Sequence, residues 1–208
     1  MIALIYIVIL IFSVIIHEVS HGYMADRLGD PTARLSGRLT LDPLKHIDPI
    51  GSVIVPLATY LLGGFAFGWA KPVPYNPYNL KNKRLGEFLI AAAGPASNLV
   101  LALIFGLVIR LVASGAVSVD AAVAAPFLTV VSYVVVINII LAIFNLIPLP
   151  PLDGSKLLFS ILPAQYGRAR YILEAYAPFW VLIVVFFLWQ LVSPVIPFIF
   201  NLFTGIGS

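Results

Sequence analysis

The stretch "IIHEVSHGYMADRLGD", residues 15–30, closes an uncharged run that begins at the first residue. Histidine and glutamate are costly at membrane depth, so ionisable groups at the end of an apolar helix are candidates for function by default. His17 and His21 stand four apart, and residues four apart share one face of a helix. Two imidazoles on one face can grip one metal ion. Glu18, beside them, is placed to take a proton from water at that ion. The alternative is a polar helix end, with both histidines snorkelling to the headgroups and Glu18 paired with Arg27.

The rest of the chain supports a membrane setting. Of 208 residues, 61% are hydrophobic and 10% charged, whereas about a quarter of a soluble domain is charged. A span needs about 20 mostly apolar residues. Spans are expected at about 2–24, 87–110, 126–147 and 176–199, giving an all-α polytopic membrane protein with about four transmembrane helices in one domain. The first run lacks a basic leader and is followed by His-Glu rather than small residues, so it is not read as a cleaved signal peptide. With no cysteine, disulfides and thiolate ligands are excluded. The net charge of +3 reports topology rather than a nucleic-acid partner.

A fifth apolar stretch, "PIGSVIVPLATYLLGGFAFGWA" at 49–70, is long enough to cross, but Pro56, Gly63, Gly64 and Gly68 interrupt it. Basic residues gather at 27–45, 71–84 and 156–170, with Arg110 apart. If 49–70 dips in and returns, all three clusters fall on the cytoplasmic side, as the positive-inside bias prefers. The N-terminus is then outside. If the stretch crosses, the first two clusters are split. Re-entry is the expectation.

A catalytic zinc usually has three protein ligands and one open position. Asp153 stands out for the third. It lies in "NLIPLPPLDGSK", residues 145–156, where Pro148, Pro150 and Pro151 forbid helix continuation. It is either a ligand or an ordinary cap for a helix at 155–162. Parity favours the ligand. With one span between them, the inner end of the first span and the segment after the third reach the same side at similar depth. In "AAAGPASNLVLALIFG", 92–106, Gly94 and Pro95 are expected to break or kink the helix. Asn98 is either interhelical glue or a group facing the metal that hydrogen-bonds substrate or a developing oxyanion. His46, between Pro43 and Pro49, is a loop residue at the interface, a second-shell or gating group, or a fourth ligand of a closed resting site.

Taken together, "HEVSHG", "GPASN" and "LPPLDG", in that order on three successive spans, resemble the site-2 protease family of intramembrane zinc metalloproteases. "GRLTLDPLKHIDPIGS" (37–52) and "AKPVPYNP" (70–77) resemble its compact prokaryotic branch. The resemblance covers roughly residues 10–160. It implies one zinc per chain on His17, His21 and Asp153, with Glu18 as general base and Asn98 aligning substrate or stabilising the intermediate. It also implies a membrane-associated β-like element over 37–75. The implied substrates are single-span membrane proteins in the same bilayer, cleaved within or near their helices in regulated intramembrane proteolysis, in a prokaryotic inner membrane with the site toward the cytoplasm. The 111–125 loop has no room for a PDZ domain, and no CBS-like domain follows residue 208, so gating would fall to 37–84, the fourth span or a partner. The rival readings are a silent relative acting as scaffold or chaperone, which the intact Glu18 disfavours, and a metal transporter, which should line a whole path with polar groups.

Overall fold

The structure is a computed structural model that describes residues 2–63, 68–183, 190 and 193–206. Among them the regular elements are helical, with no strand. Three helices are long and apolar enough to cross a membrane. They are α1 (Ile2–Arg27), α4 (Lys83–Ala113) and α5 (Ala121–Leu146), separated by α2 (Thr32–Leu35) and α3 (Val55–Gly63). The expected spans 2–24 and 87–110 lie inside α1 and α4, and the expected 126–147 follows α5 to within one residue of its end. The expected span at 176–199 opens as α8 (Ala177–Ile183) and closes within α9 (Val195–Thr204). Residues 184–189 and 191–192 of that span lie outside the described residues.

Helix α4 is the central column, packing against α1, α5, α9 and α6 (Asp153–Ile161). Buried Ala91, Ala93, Gly94, Ala102 and Gly106 give it a thin profile along its length, which lets neighbouring backbones approach closely. A Cβ at Gly106 would lie 2.8 Å from Phe203 Cβ of α9. Ala102, Ile109, Val131, Val135, Ile139 and Ile143 form the apolar core between α4 and α5. Val100, Ile104 and Leu107 point outward, as lipid-facing residues do. Of the break or kink expected at Gly94–Pro95, the break does not occur: α4 runs continuously through both residues. Proline removes one N–H from the ladder, and packing on both sides holds the remaining turns.

The β-like element expected over 37–75 is not a strand among the described residues. Its prolines at 43, 49, 56, 72 and 74 remove donors that a ladder would need. Instead Asp48 accepts the N–H groups of Ile50 and Gly51 at 2.9 and 2.7 Å and starts a π-turn (Ile50–Ile54) that runs into α3. The chain then comes back to where it left. Trp69 N–H bonds the Gly51 carbonyl at 3.0 Å, and Lys71 N–H bonds the His46 carbonyl at 2.9 Å. Gly51 has no room for a side chain, because a Cβ would sit 2.3 Å from the Trp69 indole nitrogen.

Two further contacts fix the ends of the bundle. Arg170, on α7 (Gly167–Ala175), reaches Glu87 near the start of α4 at 3.5 Å. Gly205, which ends α9 in the left-handed conformation, lies against Arg110 near the end of α4. Glu87 and Arg110 are separated by about 35 Å of helix at 1.5 Å per residue.

Candidate metal centre

One turn of α1 places His17 and His21 on the face toward α4, and both are buried. The Asp153 carboxylate arrives from the start of α6. The turn that delivers it is tight: a Cβ at Gly154 would stand 2.3 Å from the Leu146 carbonyl oxygen. The helix-cap alternative for Asp153 fails on geometry, because Leu152 occupies the cap position. The Asp153 carboxylate turns instead to the two histidines and to Lys156.

His17 Nε2, His21 Nε2 and Asp153 Oδ2 form a triangle with all three sides 3.1 Å. Tetrahedral nitrogen and oxygen ligands at about 2.0–2.1 Å from zinc stand about 3.3 Å apart, so the three atoms already have the spacing a zinc ion requires. Gly94 supplies the room. A Cβ there would fall 2.4 Å from His21 Nε2 and 2.6 Å from His17 Nε2. Among the described residues no other group of three metal-binding side chains converges.

Both rings are held from behind. His21 donates Nδ1–H to the Ile90 carbonyl at 2.6 Å. A carbonyl only accepts, so the lone pair of His21 is left on Nε2. His17 Nδ1 meets Asn98 Oδ1 at 2.6 Å. Hydrogen-bond partners behind a ligating imidazole orient it and raise its basicity. Burial alone pushes the Asp153 carboxyl up, but the imidazoles of His17 and His21, and then Lys156, hold it well below the usual carboxylate range. Lys156 donates to Asp153 Oδ1 at 3.2 Å and leaves Oδ2 for the metal. Burial lowers the Lys156 ammonium and Asp153 outweighs it, so its pKa ends above the ordinary value.

Glu18 is held by a backbone group. Residues 71–76, "KPVPYN", run extended across α1, and Val73 N–H bonds Glu18 Oε2 at 2.9 Å. This strap is pinned along its length. Arg38 donates to the Lys71 carbonyl at 2.8 Å. Asp30, with no exposed surface, accepts from Asn76 N–H at 2.6 Å, Asn79 Nδ2 at 2.7 Å and Thr32. Burial pushes the Asp30 carboxyl up, and its bonds to Thr32, Asn79 and Asn76 bring it below the ordinary value. Val73 fits because residue 22 is glycine: a Cβ there would stand 2.7 Å from Val73 Cγ1.

Asn98 and His46 stand apart from the three converging side chains. Asn98 has no exposed surface, and both of its ends are engaged. Its oxygen serves His17, and its amide serves Asn138 Oδ1 at 2.8 Å and the Ser13 carbonyl at 3.4 Å. Both Nδ2 hydrogens are taken in this arrangement, which is the interhelical alternative for this residue. His46 is not part of the ligand cluster. It donates Nε2–H to the Thr40 carbonyl at 2.9 Å and reaches the site only through its own carbonyl, the strap and Glu18. Sequence reading passed over Asp30, Ser13, Asn138 and the Ile90 carbonyl. Asn138 carried a usable signal, an amide in the middle of an apolar span, whereas a carbonyl carries none.

A family model described as "Peptidase family M50" matches residues 5–124 and 108–191. The chain is 39% identical over 157 residues to "Putative zinc metalloprotease YwhC" of Bacillus subtilis, covering 76% of this chain and 68% of that one. It is 31% identical over 160 residues to "Putative zinc metalloprotease Rip2" of Mycolicibacterium smegmatis, covering 76% of this chain and 58% of that one. Rip2 of Mycobacterium tuberculosis is 29% identical over 157 residues, with 57% of its length covered. No solved structure matches.

Proposed function

The chain belongs to peptidase family M50, and from that membership we propose an intramembrane zinc metalloendopeptidase that hydrolyses peptide bonds within or beside the transmembrane helices of other membrane proteins. The observation that carries this reading is the 3.1 Å triangle of His17, His21 and Asp153 facing the open side of Gly94. When bound there, zinc supplies a Lewis acid and makes water a usable nucleophile near neutral pH.

The chain's own groups do the rest. Glu18 takes the proton of the attacking water and returns it to the leaving amine nitrogen. Val73 N–H fixes the direction of the Glu18 carboxylate. Asn98 and the Ile90 carbonyl keep both ligand nitrogens aimed inward. A helical substrate has its peptide groups already paired, so it must unwind locally.

The membrane placement we propose is a prokaryotic cell membrane with the site toward the cytoplasm. Its support is that the basic clusters meet at the ligand end. Arg38 bonds the Lys71 carbonyl, Arg84 bonds the carbonyls of Ser160, Ile161 and Leu162, and Lys156 bonds Asp153. Segment 49–70 re-enters rather than crosses, a reading supported by the Gly51–Trp69 contact between its two ends. Segment 176–199 makes the fourth crossing, supported by Arg170 and Gly205 touching opposite ends of α4.

The test is cleavage of a panel of single-span reporter helices by the full chain in nanodiscs. Cleavage lost with Glu18→Gln and with a zinc chelator, while the variant keeps one zinc, supports the reading. Proteolysis that survives Glu18→Gln with zinc bound would sink the base assignment. A wild-type chain that binds no zinc would sink the whole reading.

A further inference from the structure

Helix α5 carries one fully buried polar side chain that the mechanism above does not use. Asn138 has no exposed surface and sits where α5 faces both α1 and α4. An amide among apolar residues is costly unless its donors and acceptor are all met. Here they are. Asn138 Nδ2 donates to the Val134 carbonyl at 2.9 Å and to Ser13 Oγ at 2.9 Å. Asn138 Oδ1 accepts from Asn98 Nδ2 at 2.8 Å.

This chain of bonds has a direction, set mainly by one atom and backed by the longer 3.4 Å bond from Asn98 Nδ2 to the Ser13 carbonyl. The two ends of an amide are nearly equal in shape but opposite in hydrogen-bonding sense. The Val134 carbonyl belongs to the main chain and can only accept, so it takes the NH₂ end of Asn138. The Asn138 oxygen then faces Asn98 and takes the NH₂ end of that residue. The Asn98 oxygen is left facing His17 Nδ1, which must therefore carry the hydrogen. The lone pair of His17 falls on Nε2, toward His21 Nε2 and Asp153 Oδ2. Reversing the chain would set the Asn138 oxygen against the Val134 oxygen. It would also present a donor to His17 Nδ1, and the neutral ring would then place its hydrogen on Nε2, where the metal must bind. We propose that Asn138 is a positioning residue that fixes the tautomer of His17 through Asn98, with the Val134 carbonyl as the origin of the relay. Ser13, one turn before His17 on α1, ties the relay to the helix that carries the ligand. The inference rests on the metal-centre reading. His21 has its own carbonyl, that of Ile90, and is an internal control.

The experiment is nitrogen NMR of the zinc-free full chain with ¹⁵N-labelled histidine in micelles, together with zinc affinity by chelator competition. In the wild type, Nδ1 of both His17 and His21 carries hydrogen. In Asn138→Leu, His17 loses its single Nδ1–H signature, His21 keeps its own, and zinc binds about 10–100-fold more weakly. Ser13→Ala leaves the Val134 carbonyl in place, so the His17 signature stays single. Asn138→Ala serves if leucine overpacks the site. A bare Nδ1 on His17 in the wild type overturns the relay without any variant. So does a folded Asn138 variant with the His17 signature and zinc affinity of the wild type, a result that leaves the metal centre standing. Loss of both histidine signatures together also overturns it, because that marks general loosening. A wild-type chain that binds no zinc instead overturns the metal reading on which the relay rests.

Discussion

Gly94→Ala adds one methyl group and no charge, yet the structure predicts that it disables the metal centre. The new carbon would stand 2.4 Å from His21 Nε2 and 2.6 Å from His17 Nε2, where ordinary contact begins at 3.4 Å. The rings would have to retreat by 1.0 Å (3.4 − 2.4) and 0.8 Å (3.4 − 2.6). Neither has slack, because each Nδ1 already lies 2.6 Å from its oxygen partner. Catalytic constellations need placement within about 0.5 Å, and a 1 Å error costs about 100-fold in rate. Zinc affinity and reporter cleavage should both fall by about 100-fold or more. The backbone moves the other way, since alanine in a helix interior is favoured over glycine by about 1 kcal/mol. Overpacking against the two rings costs about 1–3 kcal/mol in the zinc-free protein, so the zinc-free variant should melt at or only slightly below the zinc-free wild type, while its zinc-dependent stabilisation is lost. Chelator competition, reporter cleavage and thermal melting of both forms make the assay. One zinc per chain at wild-type affinity, with wild-type cleavage, would refute the placement of the metal beside Gly94.

Four other outcomes follow from the same contacts. Glu18→Gln should keep zinc and lower cleavage by about 10²–10⁴-fold, read by metal analysis beside reporter turnover. Asp30→Asn should turn a donor toward Asn76 N–H and cost about 1–3 kcal/mol, read by denaturation in micelles. The Asp30 carboxyl has a lower pKa folded than unfolded. Its stabilisation is therefore present above the unfolded value of about 3.9 and lost as pH falls through the folded value, so an acid titration of stability should lose that component in Asp30→Asn. Gly22→Ala pushes on the Leu39 and Val73 side chains at 2.6 and 2.7 Å, and the β-branched Val73 has little rotamer freedom to give way. It should shift the strap off Glu18 and lower turnover with zinc retained. Gly154→Ala meets main-chain oxygens at 2.3 and 2.4 Å, which cannot rotate away, so Asp153 should be displaced and zinc affinity lost.

What could be read beforehand follows from what each group is made of. The spans 2–24, 87–110 and 126–147 were visible because lipid-facing helices exclude charge. The pairing of His17 with His21 was visible because ligand spacing on one helix is a sequence property. Asp153 was visible as a carboxylate where none was needed. The two alternatives for Asn98 stayed open because a sequence shows that an amide is buried but not which way it faces. The strand expected at 37–75 was misjudged because donor-poor, proline-rich chain can lie extended on side chains without a ladder. The Ile90 and Val134 carbonyls, and the Val73 N–H on Glu18, are main-chain groups that every residue possesses. Only the fold singles them out.

The ligands of the metal triangle are far apart in the chain: His17 and Asp153 are separated by 136 positions. At roughly 5–20 residues per second of synthesis, Asp153 leaves the ribosome about 7–27 s after His17. During that interval α1 already lies in lipid with two imidazoles and no third donor, and Asn138, which closes the ring behind them, is itself made late. A nascent chain of this protein is therefore unarmed for most of its own translation. The metal triangle is therefore an event of assembly, complete only after α6 has folded back against α4.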